Sequence, residues 1–263
     1  LLGDPLAHTL SPGMHNAAFE AAGIDAVYLA LPVPPARLEA ALRGLRALDF
    51  GGGNVTIPHK VAIIPFLDRL TPAAKAIGAV NTLFWQEGLL WGDNTDAPGF
   101  ASTLEEPPES ALILGTGGAA KAVLFALLEK GAEKIFVATR HPGDDPFESH
   151  RAFFPRASIE LCSYDALEEI LPSVELVVNA TPVGMREGSP LDESQVALLA
   201  PKTLVYDLIY NPPETKLLAL AKKRGLPVRN GAGMLARQAA IASQRWTGQF
   251  LPELFERKLA ELL

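Results

Sequence analysis

Apolar residues follow two different spacings along this chain. Short continuous apolar runs, such as residues 111–114 and 135–138, are typical of buried parallel strands. In other stretches an apolar residue returns every third or fourth position, as in Leu38, Leu42 and Leu45, which is typical of an amphipathic helix. The two patterns alternate throughout the chain, which predicts a parallel α/β architecture.

The first part of the chain predicts a series of short elements. Ser11 precedes Pro12 as a helix N-cap would, because proline suits the first helical position. A hairpin is expected around Glu87 and Gly88, and Asp96 is a candidate cap for the helix that follows. The other expected elements are strands at 26–32 and 51–56 and a helix at 35–48.

A proline-rich polar segment at residues 106–110 interrupts the pattern and is typical of a linker. We expect domains at 1–100, completed by 232–263, and at 101–231. After the segment, strands are expected at 111–114, 134–139, 159–162, 175–179, 203–209 and 227–229, followed by helices at 234–246 and 253–263.

The stretch from residue 111 to residue 131 carries a dinucleotide-binding fingerprint. Gly115, Gly117 and Ala120 fill the pattern G-x-G-x-x-G/A between a strand and a helix. The first glycine permits the sharp turn, the second lets a pyrophosphate approach the backbone, and the small third residue lets helix and strand pack closely. The alternative is an ordinary glycine-rich turn.

The end of the next strand bears on the choice of cofactor. An NAD site places an acidic residue there to bind the ribose, whereas this chain has Arg140, which suits the 2′-phosphate of NADP. The alternative is an ordinary solvated arginine. Asp144 and Asp145 follow and would repel a phosphate if they faced it.

Composition narrows the function classes. The chain has 263 residues, a hydrophobic fraction of 48% and a net charge of −7, which disfavours a nucleic-acid surface. No apolar stretch is long enough to span a membrane. The single cysteine, Cys162, excludes an internal disulfide and ends an expected strand as a core residue. A soluble cytoplasmic protein is expected, with no nucleic-acid or membrane partner.

Lys60 and Asp96 are the candidates for proton transfer. Each follows a strand-like segment, where ligands gather in open α/β sheets. A lysine held by an aspartate can relay a proton to a reacting oxygen. The alternatives are a surface lysine and a simple helix cap.

A series of motifs resembles the shikimate dehydrogenases. They occur in the order of that family over nearly the whole chain. The motifs are GDPLAHTLSPGMHN at 3–16, NVTIPHK at 54–60, GAVNT at 78–82, GDNTDAPG at 92–99, NATPVGM at 179–185, DLIYNPPET at 207–215 and GAGMLARQ at 231–238.

The resemblance implies a two-domain fold with a Rossmann-type domain, an active site in the cleft between domains, and last helices that return to the first domain. It implies the reversible, NADPH-dependent reduction of 3-dehydroshikimate to shikimate in aromatic amino acid biosynthesis, on the route to chorismate. Lys60 and Asp96 would be the catalytic pair. The substrate-binding residues would be Thr9, Ser11, Thr56, Asn81, Tyr210 and Gln238. The cofactor-binding residues would be Gly115, Gly117, Gly118, Ala119, Ala120, Thr139, Arg140, Thr181, Met185, Ile209 and Gly231.

Two departures from the family pattern leave alternatives open. Thr9 replaces the usual serine, and the loop after Arg140 lacks a second arginine. A relative that acts on quinate or an aminated analogue with NAD is one alternative, and a non-catalytic cofactor-binding protein is another. The histidines His8, His15 and His59 are expected to be structural, with no metal site. The expected state is a monomer or homodimer that binds a small-molecule substrate.

Overall fold

The computed structural model describes residues 1–7 and 9–263. The described chain forms two compact units. The first comprises Leu1–Gly99 and Ala236–Leu263, and the second comprises Phe100–Leu235. The boundary between them falls inside a helix at residues 96–101, and the proline-rich segment at 106–110 lies within the second unit.

Strands and helices alternate along both units. The strands are β1 Leu2–Gly3, β2 Leu31–Pro32, β3 Gly52–Asn54, β4 Arg69–Leu70, β5 Thr82–Gln86, β6 Leu89–Asp93, β7 Ser110–Leu114, β8 Lys134–Ala138, β9 Ser158–Cys162, β10 Leu176–Asn179, β11 Leu204–Asp207 and β12 Val228–Arg229. The helices are α1 Ser11–Ala21, α2 Leu38–Ala47, α3 His59–Ala62, α4 Pro72–Ile77, α5 Asp96–Ala101, α6 Gly118–Glu129, α7 Glu148–Phe153, α8 Leu167–Ile170, α9 Glu193–Ala197, α10 Lys216–Lys223, α11 Ala232–Thr247 and α12 Pro252–Ala260.

The main sheet of the first unit is mixed rather than parallel. Its strand order is β3-β5-β6-β4, and only β4 and β6 run parallel. The expected hairpin is confirmed: Glu87 and Gly88, both with positive φ, join β5 to β6. A two-residue loop can join only antiparallel strands, so the expectation of a parallel α/β first domain was wrong for this sheet.

Of the segment expected to be a strand at 26–32, only β2 is paired as a strand. The side-chain amide of Asn16 takes both backbone groups of Tyr28: its Oδ1 accepts from Tyr28 N at 2.7 Å, and its Nδ2 donates to Tyr28 O at 3.0 Å. A side chain therefore replaces the neighbouring strand there. The N-cap assigned to Ser11 was also wrong, because Leu10 holds that position and α1 begins at Ser11.

The C-terminal helices complete the first unit, as the resemblance implied. α12 packs on α1, and the Arg245 guanidinium on α11 binds the buried carboxylate of Asp93 at 2.8 Å. The His15 ring on α1 stacks on Tyr28 with centroids 4.1 Å apart, and the edge of Phe255 meets it at 5.0 Å. Aromatic packing of this kind joins elements that are far apart in the chain.

This packing predicts a pH-dependent stability. Burial lowers the pKa of His15 from 6.5 to about 3. The unfolded chain then binds the proton more tightly, so stability falls as the pH drops below 6.5. At pH 5 the loss should be about 2 kcal/mol. Urea unfolding at pH 7 and pH 5 tests this, because a His15→Phe variant should show a smaller difference between the two. An equal difference in both proteins would exclude His15 as the cause.

The second unit is built on six parallel strands in the order β12-β11-β10-β7-β8-β9. The chain starts at β7, builds outward through β8 and β9, and then returns to the other side of β7 with β10. This is the Rossmann strand order, and the prediction of a dinucleotide-binding fold is confirmed. Ligands of such folds bind at the carboxyl ends of the strands, where the order reverses, which is here between β7 and β10.

Candidate active site

The structure brings Lys60 and Asp96 together in the first unit. Lys60 lies on α3 and Asp96 begins α5, and Lys60 Nζ donates to Asp96 Oδ2 at 2.5 Å. The lysine side chain is 14% exposed and the aspartate side chain 7%. The lysine is therefore neither freely solvated nor fully enclosed. The ammonium group can therefore donate a hydrogen bond to a bound ligand while Asp96 keeps it in place.

Asn81 lies at the centre of a buried polar network in the same unit. Its Oδ1 accepts from the backbone N–H of Thr95 at 2.7 Å. Its Nδ2 donates to Thr95 Oγ1 at 3.0 Å and to Gln238 Oε1 at 3.3 Å. Two predicted substrate residues that are 157 positions apart in sequence thus share one cluster. Neutral donors and acceptors held in fixed places suit a polyhydroxylated ligand.

The hydrogen-bond network extends from Asn81 to residues that were not predicted to belong to the site. Thr82 Oγ1 donates to Asn81 Oδ1, and Asn54 Nδ2 donates to Thr82 Oγ1 at 3.1 Å. Tyr28 Oη then donates to Asn54 Oδ1 at 2.7 Å. Asn54, Thr82 and Thr95 lie inside the motifs at 54–60, 78–82 and 92–99. These motifs could have identified the three residues as part of the site. Tyr28 lies outside them all.

The remaining predicted substrate residues lie in three places along the chain. Thr9 and Ser11 are adjacent, since Thr9 Oγ1 accepts from Ser11 N at 3.3 Å. Thr56 is half-buried just before α3, and its carbonyl accepts from His59 N at 2.9 Å. Tyr210 belongs to the second unit, in the loop after β11.

The described histidines have structural contacts. A ring nitrogen of His59, Nε2, lies 2.6 Å from the carbonyl oxygen of Val33, which ties α3 to the segment after β2. His15 belongs to the aromatic cluster, and His8 lies outside the described residues. Among residues 1–7 and 9–263, no group of three His, Cys, Asp or Glu side chains is placed to hold a metal ion. Cys162 ends β9, and burial raises the pKa of its thiol to about 11, so the thiol is a poor nucleophile.

The predicted cofactor residues of the second unit gather at one edge of its sheet. The register aligns Leu114 with Ala138 and with Asn179, and Asn179 with Asp207, so the strands end side by side. The predicted residues that follow these ends in sequence are Gly115, Gly117, Gly118, Ala119 and Ala120 after β7, Thr139 and Arg140 after β8, Thr181 and Met185 after β10, Ile209 after β11, and Gly231 after β12.

Two glycines of the fingerprint differ in backbone conformation and in the space around them. Gly115 has φ +103°, and a Cβ there would lie 2.9 Å from Thr181 Cγ2, so the fold itself needs glycine. Gly117 has φ −71°, and a Cβ there would meet nothing within 4 Å. Gly117 is also the N-cap of α6, and it provides no side-chain cap for the N–H groups of the first turn. This open approach to uncapped N–H groups fits a pyrophosphate.

The end of β8 presents an exposed cation. Thr139 is buried and its Oγ1 accepts from His141 N at 3.2 Å, which shapes the turn around the exposed Arg140. The carboxylate of Asp145 is bound by Arg151 Nε at 2.8 Å and by Phe147 N at 2.9 Å. Both contacts hold the carboxylate of Asp145 against the neighbouring helix α7, since Phe147 is its N-cap and Arg151 lies on it.

Comparisons with known proteins now decide the family. A family model described as the shikimate dehydrogenase substrate binding domain matches residues 1–83. The shikimate dehydrogenase (NADP(+)) of Microcystis aeruginosa is 44% identical over 262 residues, which cover 96% of this chain and 92% of that protein. This chain belongs to the shikimate dehydrogenase family.

Solved structures of related proteins have the same fold as this chain. The shikimate 5-dehydrogenase of Thermus thermophilus, in complex with NADP(H) and shikimate, superposes with a TM-score of 0.85 at 38% identity, over 100% of this chain and 98% of that one. The ligand-free 5-ketofructose reductase of a Gluconobacter species gives a TM-score of 0.83 at 30% identity, over 100% and 97% of the two chains. The fold of the shikimate dehydrogenases is thus shared with a reductase named for another substrate, so the side chains of the site must decide the chemistry. In the described part of this shikimate dehydrogenase family member, no helix has both the length and the hydropathy to cross a membrane.

Proposed function

We propose that this chain is an NADP-dependent shikimate dehydrogenase, which catalyses the reversible reduction of 3-dehydroshikimate to shikimate. The observation that carries the proposal is the contact between Lys60 Nζ and Asp96 Oδ2 in a chain of this family. The enzyme is an oxidoreductase, and its reaction belongs to aromatic amino acid biosynthesis, on the route to chorismate.

The chain's own residues divide the work of the reaction. NADPH, when bound, supplies the hydride that reduces the substrate carbonyl. Lys60 donates a proton from Nζ to the oxygen that becomes the hydroxyl, and takes it back in the reverse direction. Asp96 orients Lys60 and balances its charge, so that the proton donor is in place before the substrate arrives.

Substrate selection falls to neutral groups. Asn81 and Gln238 would bind ring hydroxyls, and Thr9 and Ser11 would bind the carboxylate through hydroxyl groups, with Thr56 and Tyr210 as further contacts. Because Asn81 is already held by Thr95, its amide is oriented without the ligand. A ligand that lacks a matching hydroxyl forms fewer hydrogen bonds with these groups and binds less tightly.

Arg140 would bind the 2′-phosphate of NADP. An Arg140→Ala variant should raise KM for NADP by about tenfold to a hundredfold, the cost of losing a charge-assisted hydrogen bond. KM for NAD, which lacks the phosphate, should change little. Steady-state kinetics with both cofactors measure the ratio. Equal effects on NADP and NAD would show that Arg140 does not read the phosphate.

A second candidate function follows from Thr9. Its extra methyl group, where the family usually has serine, changes the space beside the substrate carboxylate and favours testing quinate and an aminated analogue with NAD. Comparing kcat/KM for each acid with each cofactor separates the two functions. A Thr9→Ser variant that shifts the preference towards shikimate would identify the methyl group as the cause.

The biological role has a direct test. We place the enzyme in the cytoplasm because its one cysteine is typical of proteins that need no oxidising compartment. We expect it to be a monomer or homodimer. A bacterium that lacks shikimate dehydrogenase needs added aromatic amino acids. The chain should restore growth without them, and its Lys60→Ala variant should not. Failure of the folded wild-type chain to restore growth would favour a non-catalytic cofactor-binding role.

A further inference from the structure

Asp207 is a buried carboxyl that the proposed reaction does not use. It is the last residue of β11 and is 0% exposed. No cation of the described chain forms a salt bridge with it, and burial raises the pKa of its carboxyl. A buried carboxyl without a cation is costly unless hydrogen bonds satisfy it.

Three donors from three segments meet at this carboxyl. Oδ1 accepts from Asn179 Nδ2 at 2.9 Å and from the backbone N–H of Ile209 at 3.1 Å. Oδ2 accepts from Thr215 Oγ1 at 2.7 Å. Asp207 therefore binds the end of β10, its own loop and the start of α10 at once.

Asn179 transmits this contact to the loop after β10. Its Oδ1 accepts from Thr181 N at 3.0 Å and from Thr181 Oγ1 at 2.7 Å, and its Nδ2 also donates to Val183 O at 3.0 Å. One amide, fixed by Asp207, thus shapes residues 179–183. Thr181 in turn packs beside Gly115 of the fingerprint.

The loops after β10 and β11 contact each other beside Thr215, which binds the carboxyl of Asp207. A Cβ on Gly184, which has φ +110°, would lie 3.3 Å from Ile209 Cδ1 and 3.6 Å from Thr215 Cβ. The Ile209 carbonyl accepts from Gly231 N at 3.1 Å, which adds the segment after β12. These loops carry Thr181, Met185, Ile209 and Gly231, all predicted cofactor residues.

We propose that Asp207 is a positioning residue for the cofactor, because its carboxyl holds the loops after β10 and β11 in the arrangement that presents Thr181 and Ile209. The inference rests on the proposed use of NADP. Asp207 itself acts through Asn179 and Thr215 rather than by touching the ligand.

The test compares Asp207→Ala with Asp207→Asn. Alanine removes all three acceptor contacts, and the Kd for NADPH, measured by fluorescence titration, should rise about tenfold. Asparagine can still accept from Asn179 and Ile209 through its oxygen and can donate to Thr215 Oγ1, so its Kd should stay within about twofold of wild type. At saturating NADP, KM for shikimate should not change.

A control separates positioning from loss of stability. Asp192 lies in the same unit and caps α9 through Gln195 N at 2.9 Å. An Asp192→Ala variant should unfold at lower temperature but bind NADPH as the wild type does. If Asp207→Ala does not fold, Thr215→Val removes the contact with Asp207, together with the N-cap that Thr215 Oγ1 provides for α10, and should raise the Kd in the same direction. Thr215→Ser keeps both contacts and should bind NADPH as the wild type does.

Hydrogen exchange of the ligand-free protein provides a readout that needs no turnover. The amides of Thr181 and Ile209 should exchange faster in Asp207→Ala and near the wild-type rate in Asp207→Asn. If the wild type binds NADPH but does not oxidise shikimate, the proposed function is contradicted. The comparison of Asp207→Ala with Asp207→Asn by Kd and amide exchange remains valid in that case. Unchanged amide exchange and an unchanged Kd in Asp207→Ala would overturn the positioning role, as would an asparagine variant as impaired as alanine.

Discussion

Replacing Lys60 with alanine should lower kcat/KM for shikimate by about a thousandfold, within the range for loss of a positioned proton donor. The physical reason is the contact between Lys60 Nζ and Asp96 Oδ2, which places one ammonium group at the site with a partner to hold it. NADPH binding should persist, because the cofactor residues lie in the other unit. Steady-state kinetics and a fluorescence titration of NADPH measure the two effects.

Two variants make this result interpretable. Lys75→Ala removes an exposed lysine of α4 in the same unit and should leave kcat/KM unchanged. Asp96→Asn keeps the shape of the side chain that holds Lys60 but removes its charge. This variant should lower kcat and change KM for shikimate much less. A folded Lys60→Ala enzyme within tenfold of wild-type activity would exclude Lys60 as the proton donor.

Replacing Gly117 with alanine should raise the Kd for NADPH by about a hundredfold, because the methyl group would move the pyrophosphate away from the backbone N–H groups and weaken hydrogen bonds to a charged group. The stability of the ligand-free protein should change by no more than about 1 kcal/mol. The backbone at Gly117 has φ −71°, and a Cβ there meets nothing within 4 Å. Alanine lowers the entropy of the unfolded chain but is a poorer N-cap than glycine, and because each effect is worth up to about 1 kcal/mol they should largely cancel. Only a ligand at the start of α6 would collide with the methyl group.

Two further alanine variants serve as controls. Gly51 is exposed and a Cβ there also meets nothing within 4 Å, so Gly51→Ala should change neither stability nor the Kd. Gly115→Ala should lower the stability and raise the Kd, because φ is +103° and Thr181 lies in the way. If Gly117→Ala binds NADPH as tightly as wild type, the pyrophosphate does not lie against this turn.

The strands of the second unit could be predicted from the sequence. The central strands β7, β8, β10 and β11 are largely buried and therefore appear as continuous apolar runs. The fingerprint at Gly115 and Gly117 then predicted a ligand site at the carboxyl ends of these strands. Strand order followed from the fold that the fingerprint implies, since no local pattern specifies it.

The first unit was harder to predict because its local signals compete with distant contacts. The strand pattern at 26–32 was overridden by the side chain of Asn16, which satisfies both backbone groups of Tyr28. Hydrogen bonds between residues far apart in sequence have no periodic signature. The contact of Asn81 with Gln238 was accessible only through the family's motifs, and the extension through Asn54 to Tyr28 required the folded chain.

The most direct measurement is the near-ultraviolet absorbance of NADPH as the purified chain oxidises shikimate in the presence of NADP. A steady rise in absorbance with shikimate and NADP, much slower with quinate or with NAD, is the expected result. A folded protein that binds NADPH but forms none from shikimate and NADP would contradict the proposed function.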